Sequence, residues 1–202
     1  MAAGRAFQII RTAFVFAAFA GAAPAGSLKV LYSFQGPNGG DGAVPYAAPF
    51  MDSKGDLYGT TAEGGAQGFG VVYRLHRTKN GTWTETVLHA FTGGSDGGVS
   101  AGGVVVDKAG NVYGGTEYGG NPACGNGLGC GVVYELVPQG GGQGSEQVVY
   151  NFASQSGGED GYNPLAGLIR DADGNFYGTT TKGGNASLCH FAGCGVVYEF
   201  TP

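Results

Sequence analysis

Three aspartates stand in the same short motif at three places in the chain, and their residue type and spacing could support chemistry. Asp41 lies in GGDG, Asp96 in GSDG and Asp160 in GEDG. Carboxylates so placed can bind sugar hydroxyls or peptide amides, and two of them can act as acid and base in a hydrolase or lyase. A plainer explanation is that each Asp caps its own turn by accepting hydrogen bonds from backbone amides two residues on. For each Asp taken singly, turn capping is favoured.

A second kind of loop carries the other candidates for binding. It follows the motif YGTT or YGGT, and we expect it to emerge on the same face as the loop that holds the aspartates. Aromatic rings and charged groups around a shared axis suit recognition of carbohydrate or peptide by stacking and hydrogen bonding. The candidate ligand-binding residues are Asp41, Asp96, Asp160, Tyr118, Lys182, His190 and Phe191.

Catalysis is the competing interpretation, and the residue pattern argues against it. The candidate groups repeat, whereas catalysis usually needs different residues in different roles. The chain contains no S-x-x-K or H-E-x-x-H motif, and His76 and His89 lie in predicted strands. We therefore expect no catalytic residue, no cofactor and no enzymatic activity.

The four cysteines form two close pairs, Cys124 with Cys130 and Cys189 with Cys194. Each pair lies between a Gly-Gly loop and a GVVY motif, where a local disulfide would close a longer loop. A zinc site is the alternative because His190 is adjacent. The C-x5-C and C-x4-C spacings with no second His do not match a zinc site, so we expect two disulfides and no metal.

The same series of motifs occurs three times, which indicates a repeat architecture. An aromatic segment ends at Phe34, Phe91 and Phe152, and a D-x-x-G hairpin, a Gly-Gly loop and GVVY follow in each copy. The repeats cover approximately 35–91, 92–152 and 153–202. The 43 glycines fall at fixed offsets between strand-length apolar runs, which favours tight turns over disorder. The predicted strands are 47–51, 57–61, 71–77 and 83–91, then 102–106, 112–116, 132–137 and 146–152, then 166–171, 176–180 and 196–201.

Four antiparallel strands in each repeat predict an all-β fold, a β-propeller-like repeat of four-stranded blades in which three repeats make a half or partial propeller. Small residues open the first strand of each repeat, as crowding near a central axis would require. The third repeat lacks a fourth strand, and 28–34 (LKVLYSF) resembles one, so this segment is expected to close the last blade. Because propellers have about 4 to 8 blades, either a homodimer completes a six-bladed ring or the chain is part of a longer array.

Residues 1–25 have the features of a signal peptide: Arg5 and Arg11, an apolar stretch over 13–23, and a small-x-small site at 23–25. Without these two arginines, eight basic residues face 15 acidic ones, a formal net charge of −7. This charge argues against nucleic-acid binding. A single β-repeat domain over 26–202, with no membrane span after signal removal, is expected to be secreted, periplasmic or at the cell surface.

The motifs DSKGDLYGTT, DKAGNVYGGT and DADGNFYGTT, each followed by GG and GVVY, cover nearly all of 28–202. With them the chain resembles the bacterial GloVer repeat family, also called choice-of-anchor tandem repeat proteins. The resemblance implies a secreted or cell-surface repeat protein, generally with more units and often a C-terminal anchoring element, and it implies no catalytic residue. The prediction is an exported binding module for an extracellular carbohydrate or protein. The alternatives are a structural envelope or matrix protein, and a propeller hydrolase or lyase that uses the loop carboxylates.

Overall fold

The computed structural model describes residues 26–36, 40–139, 142–153, 158–185, 187–189 and 192–202. The predicted signal peptide, 1–25, lies outside these residues. The chain divides into two compact units, Met1–Val30 and Leu31–Pro202. In the first unit, 26–30 are described and have no regular secondary structure. The second unit is all-β, as predicted: its described residues form short strands, and a 3-10 turn lies at Gly125–Gly127.

Two antiparallel four-stranded sheets correspond to the first and second repeats. The first sheet has the order β2-β3-β5-β6, with strands Phe50–Met51, Leu57–Thr60, Val71–Arg77 and Trp83–Ala90. The second sheet joins β7 (Val105–Val106), β8 (Val112–Thr116), β9 (Val132–Val137) and β10 (Ser145–Asn151) in sequence order. The four-stranded repeat predicted from the motifs is therefore confirmed for these two repeats.

The third sheet has three strands, β11 (Ile169–Arg170), β12 (Phe176–Thr179) and β13 (Val197–Phe200). A small fourth sheet pairs β1 (Gly42–Ala43) with β4 (Glu63–Gly64). The segment 28–34, expected to be a strand that closes the last blade, is not assigned to any strand. Within the described residues, β13 pairs only with β12, and its other side is an open sheet edge.

The first strand of each repeat is shorter than predicted, because its opening residues face neighbouring repeats instead of their own sheet. A Cβ atom built at Gly102 would lie 2.6 Å from the carbonyl oxygen of Ala166, and one built at Gly167 would lie 2.9 Å from the backbone nitrogen of Gly103. Thr60 donates a hydrogen bond of 2.7 Å to the carbonyl oxygen of Gly102. The predicted crowding of small residues is thus a backbone-to-backbone approach between successive repeats.

Each of the three larger sheets contains a tyrosine that lies over a glycine of the adjacent strand. The cross-strand pairs are Gly59 with Tyr73, Gly114 with Tyr134, and Gly178 with Tyr198. A Cβ atom at any of these glycines would overlap the phenol group of its tyrosine. The pairing explains why YG in one strand is always followed by GVVY in the next.

Each of these tyrosines also packs against a phenylalanine ring from the aromatic segment that comes before it in the chain. Ring centroids lie 4.9 Å apart in Phe34 and Tyr73, 5.2 Å apart in Phe91 and Tyr134, and 5.1 Å apart in Phe152 and Tyr198. These tilted and edge-on arrangements are the favoured geometry for aromatic pairs. Apolar residues of the first and second sheets pack into one core cluster and those of the second and third sheets into another. Glycine, tyrosine and phenylalanine together connect each repeat to the next.

Replacing Gly114 with alanine tests this packing. The added methyl group would overlap the ring of Tyr134, which is fully buried, so we expect Gly114→Ala to lower the free energy of unfolding by about 1–3 kcal/mol. Gly115→Ala is the matched control, because at the next position in the strand the nearest atom to the added carbon would be 3.5 Å away. Urea unfolding of both variants measures the difference. Equal stability of the two variants would contradict the packing argument.

Candidate functional site

The two loop types that carry the predicted site residues meet in every repeat. Ala43 pairs with Glu63 in the small sheet of the first repeat. At the same places in the other repeats, isolated bridges join Gly98 to Tyr118 and Tyr162 to Lys182. The expectation that these loops share one face is therefore confirmed by backbone hydrogen bonds in all three repeats.

The three aspartates lie within this face, and each accepts hydrogen bonds from the end of the preceding aromatic segment. Asp41 is 4% exposed and accepts a bond of 2.7 Å from the hydroxyl of Tyr32 and one of 2.9 Å from the amide of Gln35. Asp160 accepts a bond of 2.7 Å from the hydroxyl of Tyr150. Asp41 thus caps the end of the preceding aromatic segment through an amide six residues earlier, whereas the prediction was a bond to an amide two residues on, and the bond to Asp160 comes from a tyrosine hydroxyl.

Asp96 occupies the same position in the second repeat, with a histidine where the other repeats have tyrosine. Nε2 of His89 lies 3.2 Å from its carboxylate, and the amide of Thr92 donates to it at 2.9 Å. The hydroxyl of Thr92 also donates to this carboxylate. Burial lowers the pKa of His89, although the carboxylate of Asp96 acts in the opposite direction.

Two glutamates of the fourth strands are affected by the charges of these aspartates. Burial, and then the charge of Asp41, raises the pKa of Glu85 from its usual 4.5 to about 7. Burial, and then the charge of Asp96, raises the pKa of Glu146 to about 7 in the same way. Oε1 of each glutamate is buried and has no hydrogen-bond partner among the described residues. Neither glutamate was predicted as a site residue, although both occupy the same position in WTETVLHAF and SEQVVYNF.

Both predicted disulfides are present, joining Cys124 to Cys130 and Cys189 to Cys194. In the first of them, the amide of Gly119 donates a bond of 2.8 Å to the carbonyl of Leu128 inside the closed loop. A Cβ atom at Gly129 would overlap the carbonyl of Gly119, so only glycine permits this approach. The disulfide loop, residues 124–130, is thereby held against the loop that carries Tyr118.

A groove of about 600 Å³ lies beside this disulfide loop, between the second and third repeats. We call it the ligand groove. Tyr118 and Lys182, two of the predicted site residues, both line it. Its other polar and aromatic lining residues include Asn126, Tyr162 and Asn163.

Asn163 connects the two repeats on either side of the groove. Its amide donates to the carbonyl of Cys130 at 2.9 Å, and its Nδ2 donates to the carbonyl of Glu117 at 2.8 Å. The residue has a positive φ of 56°, a conformation that asparagine tolerates better than most residues do. The hydroxyl of Tyr162 donates a bond of 2.9 Å to the carbonyl of Ala192, in the loop closed by the second disulfide. Asparagine at this position and tyrosine beside it were not predicted as site residues.

The cationic group at the groove is Lys182, which is exposed and makes no ion pair with any described residue. Its Nζ lies 6.0 Å from the ring centroid of Tyr162. The structure thus brings together Tyr118 and Lys182 from the predicted set. Asp41, Asp96 and Asp160 do not line the groove, and His190 and Phe191 lie outside the described residues.

The fold and the groove define an all-β tandem-repeat protein stapled by two loop disulfides. A family model, the Gloeobacter/Verrucomicrobia repeat, matches residues 17–202. The chain belongs to this family, which confirms the resemblance drawn from its motifs. A comparison with curated proteins found no match. In the described part of the chain there is no cluster of three or more metal-ligating His, Cys, Asp or Glu side chains, and no helix there is long and apolar enough to span a bilayer.

Replacing Asp41 tests its role as a cap. Alanine would leave the hydroxyl of Tyr32 and the amide of Gln35 without their acceptor, so we expect Asp41→Ala to lower the free energy of unfolding by about 1–3 kcal/mol. The exposed Asp173 lies in a hairpin, and Asp173→Ala is the control, with an expected change within about 0.5 kcal/mol. Thermal unfolding of both variants is the measurement. An Asp41 variant as stable as the parent would show that this carboxylate is not a structural cap.

The raised pKa of Glu146 predicts a pH-dependent stability. The folded state binds the proton of Glu146 more tightly than the unfolded state does. The free energy of unfolding therefore decreases as the pH rises from about 4.5 through about 7, because the buried side chain must then ionise. We expect Glu146→Gln to be more stable than the parent at pH 8 by about 1 kcal/mol, since partial exposure reduces the effect, and to match it at pH 4. Urea unfolding at the two pH values measures this. The exposed Glu63 provides the control Glu63→Gln, and a pH-independent effect at Glu146 would refute the interpretation.

Proposed function

We propose that this chain is an exported, β-propeller-like binding module that holds a carbohydrate in the ligand groove. The observation that carries the proposal is the convergence of Tyr118, Tyr162 and Lys182 in one open groove. It does not depend on any catalytic group.

The propeller-like arrangement is supported by how successive sheets touch. Neighbouring sheets share apolar clusters across their faces, and the first strands of neighbouring repeats approach through backbone atoms near Gly102 and Gly167. Tyr46, Ala101 and Leu165, which occupy the same position in the three repeats, line one common cavity of about 470 Å³. Equivalent residues that converge on one space favour sheets arranged about an axis. Since propellers have about 4 to 8 blades, three sheets would form part of such a ring.

Export is supported by the disulfides and by the N-terminal sequence. Local disulfides persist in oxidising compartments and are rare in the cytosol. Residues 1–25 have the charge, length and cleavage-site pattern of a signal peptide. Together these features favour a secreted, periplasmic or cell-surface location.

A carbohydrate is the ligand that the groove chemistry favours. Tyrosine rings offer flat apolar faces for stacking together with hydroxyl groups for hydrogen bonding. Asparagine side chains and loop carbonyls supply donors and acceptors that match sugar hydroxyls. Because Lys182 is an exposed cation beside the ring of Tyr162, we expect sugars that carry a carboxylate to bind more tightly than neutral ones.

Capping by Asp41 and Asp96 favours binding over catalysis at this face. Both carboxylates already accept hydrogen bonds from backbone amides of the adjacent loops, which gives each of them a structural role.

A glycan-array screen of the purified protein tests the proposal. We expect retention of oligosaccharides that contain uronic acids, and we expect Tyr118→Ala and Lys182→Ala each to weaken binding about tenfold, the equivalent of about 1.4 kcal/mol. Lys108→Ala is the matched control, because Lys108 is an exposed lysine in the hairpin that precedes β8 and does not line the groove. Absence of binding to any glycan would favour the structural alternative, and release of new reducing ends from a bound glycan would favour a hydrolase or lyase.

A further inference from the structure

The open edge of the third sheet exposes a valine whose counterparts in the other two repeats are buried. Val197 of β13 is 80% exposed, whereas Val72 and Val133, which occupy the same position in the first and second repeats, are 0% exposed. Those two valines are paired with fourth strands, β6 and β10. Among the described residues, no strand pairs with this side of β13.

A groove of about 430 Å³ runs along this open edge. Tyr150 and Phe152 of the second repeat form one wall, and Val197, Tyr198 and Phe200 of β13 form another. The hydroxyl of Tyr198 is buried and has no hydrogen-bond partner among the described residues. We call this the edge groove; its aromatic and valine side chains are accompanied by the carboxylates of Glu159, Asp160 and Glu199, and it lies where the first two sheets have their fourth strands.

The N-terminal segment, residues 28–34, resembles in sequence the fourth strands of the first two sheets. LYSF occupies the place of LHAF in the first repeat and VYNF in the second. Leu28 and Val30 are 90% and 66% exposed. Their counterparts are paired in fourth strands: Glu85 and Val87 in β6, and Glu146 and Val148 in β10.

We propose that the edge groove receives the N-terminal segment of a second copy of this chain. Exchange of the two segments would join two copies by strand addition at two equivalent edges, and backbone hydrogen bonds along an exposed edge are a common basis for such pairing. The proposal concerns assembly and stands independently of the ligand groove.

The pairing register follows from the second sheet. There Tyr150 pairs with Val133 and Val148 pairs with Tyr134. The same register sets Tyr32 opposite Val197 of the other copy and Val30 opposite Tyr198. It sets Lys29 opposite Glu199, in the place where Gln147 pairs with Glu135, so opposite charges would face each other.

The register also fills the edge groove with apolar side chains. Leu28 takes the position of Glu85 and Glu146 and would lie opposite Phe200, in the place where Glu146 pairs with Leu136. An apolar residue in this position matches the apolar wall of the edge groove. In both copies, exposed Leu28, Val30 and Val197 would become buried, which favours association.

The aromatic anchor of the segment shows how it would join two sheets, and the second copy is favoured as its source because three sheets are fewer than the roughly 4 to 8 blades of a closed propeller. Phe34 packs on Tyr73 of the first sheet in its own chain, as Phe91 packs on Tyr134 of the next sheet. Phe91 belongs to the aromatic segment that ends the first repeat, and that segment pairs with the first sheet while it packs on the second. By the same geometry, the N-terminal segment would pair with the third sheet of one copy while it packs on the first sheet of its own.

Light scattering and cysteine crosslinking test this proposal. We expect the purified protein to have twice the mass of one chain, and we expect Val197→Asp to weaken association about tenfold or more, because a carboxylate would be buried in the edge groove. Ile169→Asp is the matched control: Ile169 is an exposed apolar residue of the same sheet, in β11, on the opposite edge. A monomeric parent protein, or equal effects of the two substitutions, would overturn the proposal.

A mixture of two single variants identifies the source of the segment. When Lys29→Cys and Glu199→Cys proteins are mixed and oxidised, we expect a disulfide-linked two-chain species that needs both variants. A Lys29→Cys/Glu199→Cys double variant that links only within one chain, with no two-chain species in the mixture, would show that the segment closes its own chain and would overturn the proposal. This readout does not require Val197→Asp to fold.

Discussion

The contact of a phenylalanine ring with a tyrosine ring, itself stacked on a glycine, is the interaction on which this structure depends. Gly114 leaves room for the ring of Tyr134, and Phe91 from the preceding repeat packs against that ring. The arrangement combines a pairing within one sheet with a contact between sheets. Since all three repeats contain it, the same contact sets both the internal order of a sheet and its spacing from its neighbour.

Much of this fold could be predicted from the sequence because the motifs repeat. The four-stranded order of the first two repeats, the hairpins and the disulfide pairs follow from residue types at fixed offsets, and the structure has them where expected, whereas the small β1–β4 sheet was not predicted. The first strands were predicted to be longer than they are, because their opening residues contact neighbouring repeats. The residue pattern within one strand carries no information about contacts between repeats. Segment 28–34 resembles a fourth strand, but a strand also needs the edge of a sheet to pair with. The sequence of the segment does not specify which edge that is.

The candidate site was only partly predictable, for a related reason. Tyr118 and Lys182 follow recognisable motifs, so they could be assigned to the loop face in advance. Tyr162 and Asn163 stand at positions that hold other residues in the remaining repeats, and they gain their place at the ligand groove by contacts across two repeats. Asp41 and Asp96 were predicted as site residues because the motif around them recurs. In the structure, they accept hydrogen bonds from the end of the preceding aromatic segment.

The approach of Gly102 and Gly167 to the backbone of neighbouring repeats has an evolutionary consequence. Backbone atoms, which every unit has, form much of this junction, and Thr60 adds a side-chain hydrogen bond at the first one. A duplicated unit inserted between two existing ones would therefore meet partly matching surfaces on both sides. Recombination within such a gene can thereby lengthen or shorten the array with few compensating substitutions, while the loops of each unit diversify.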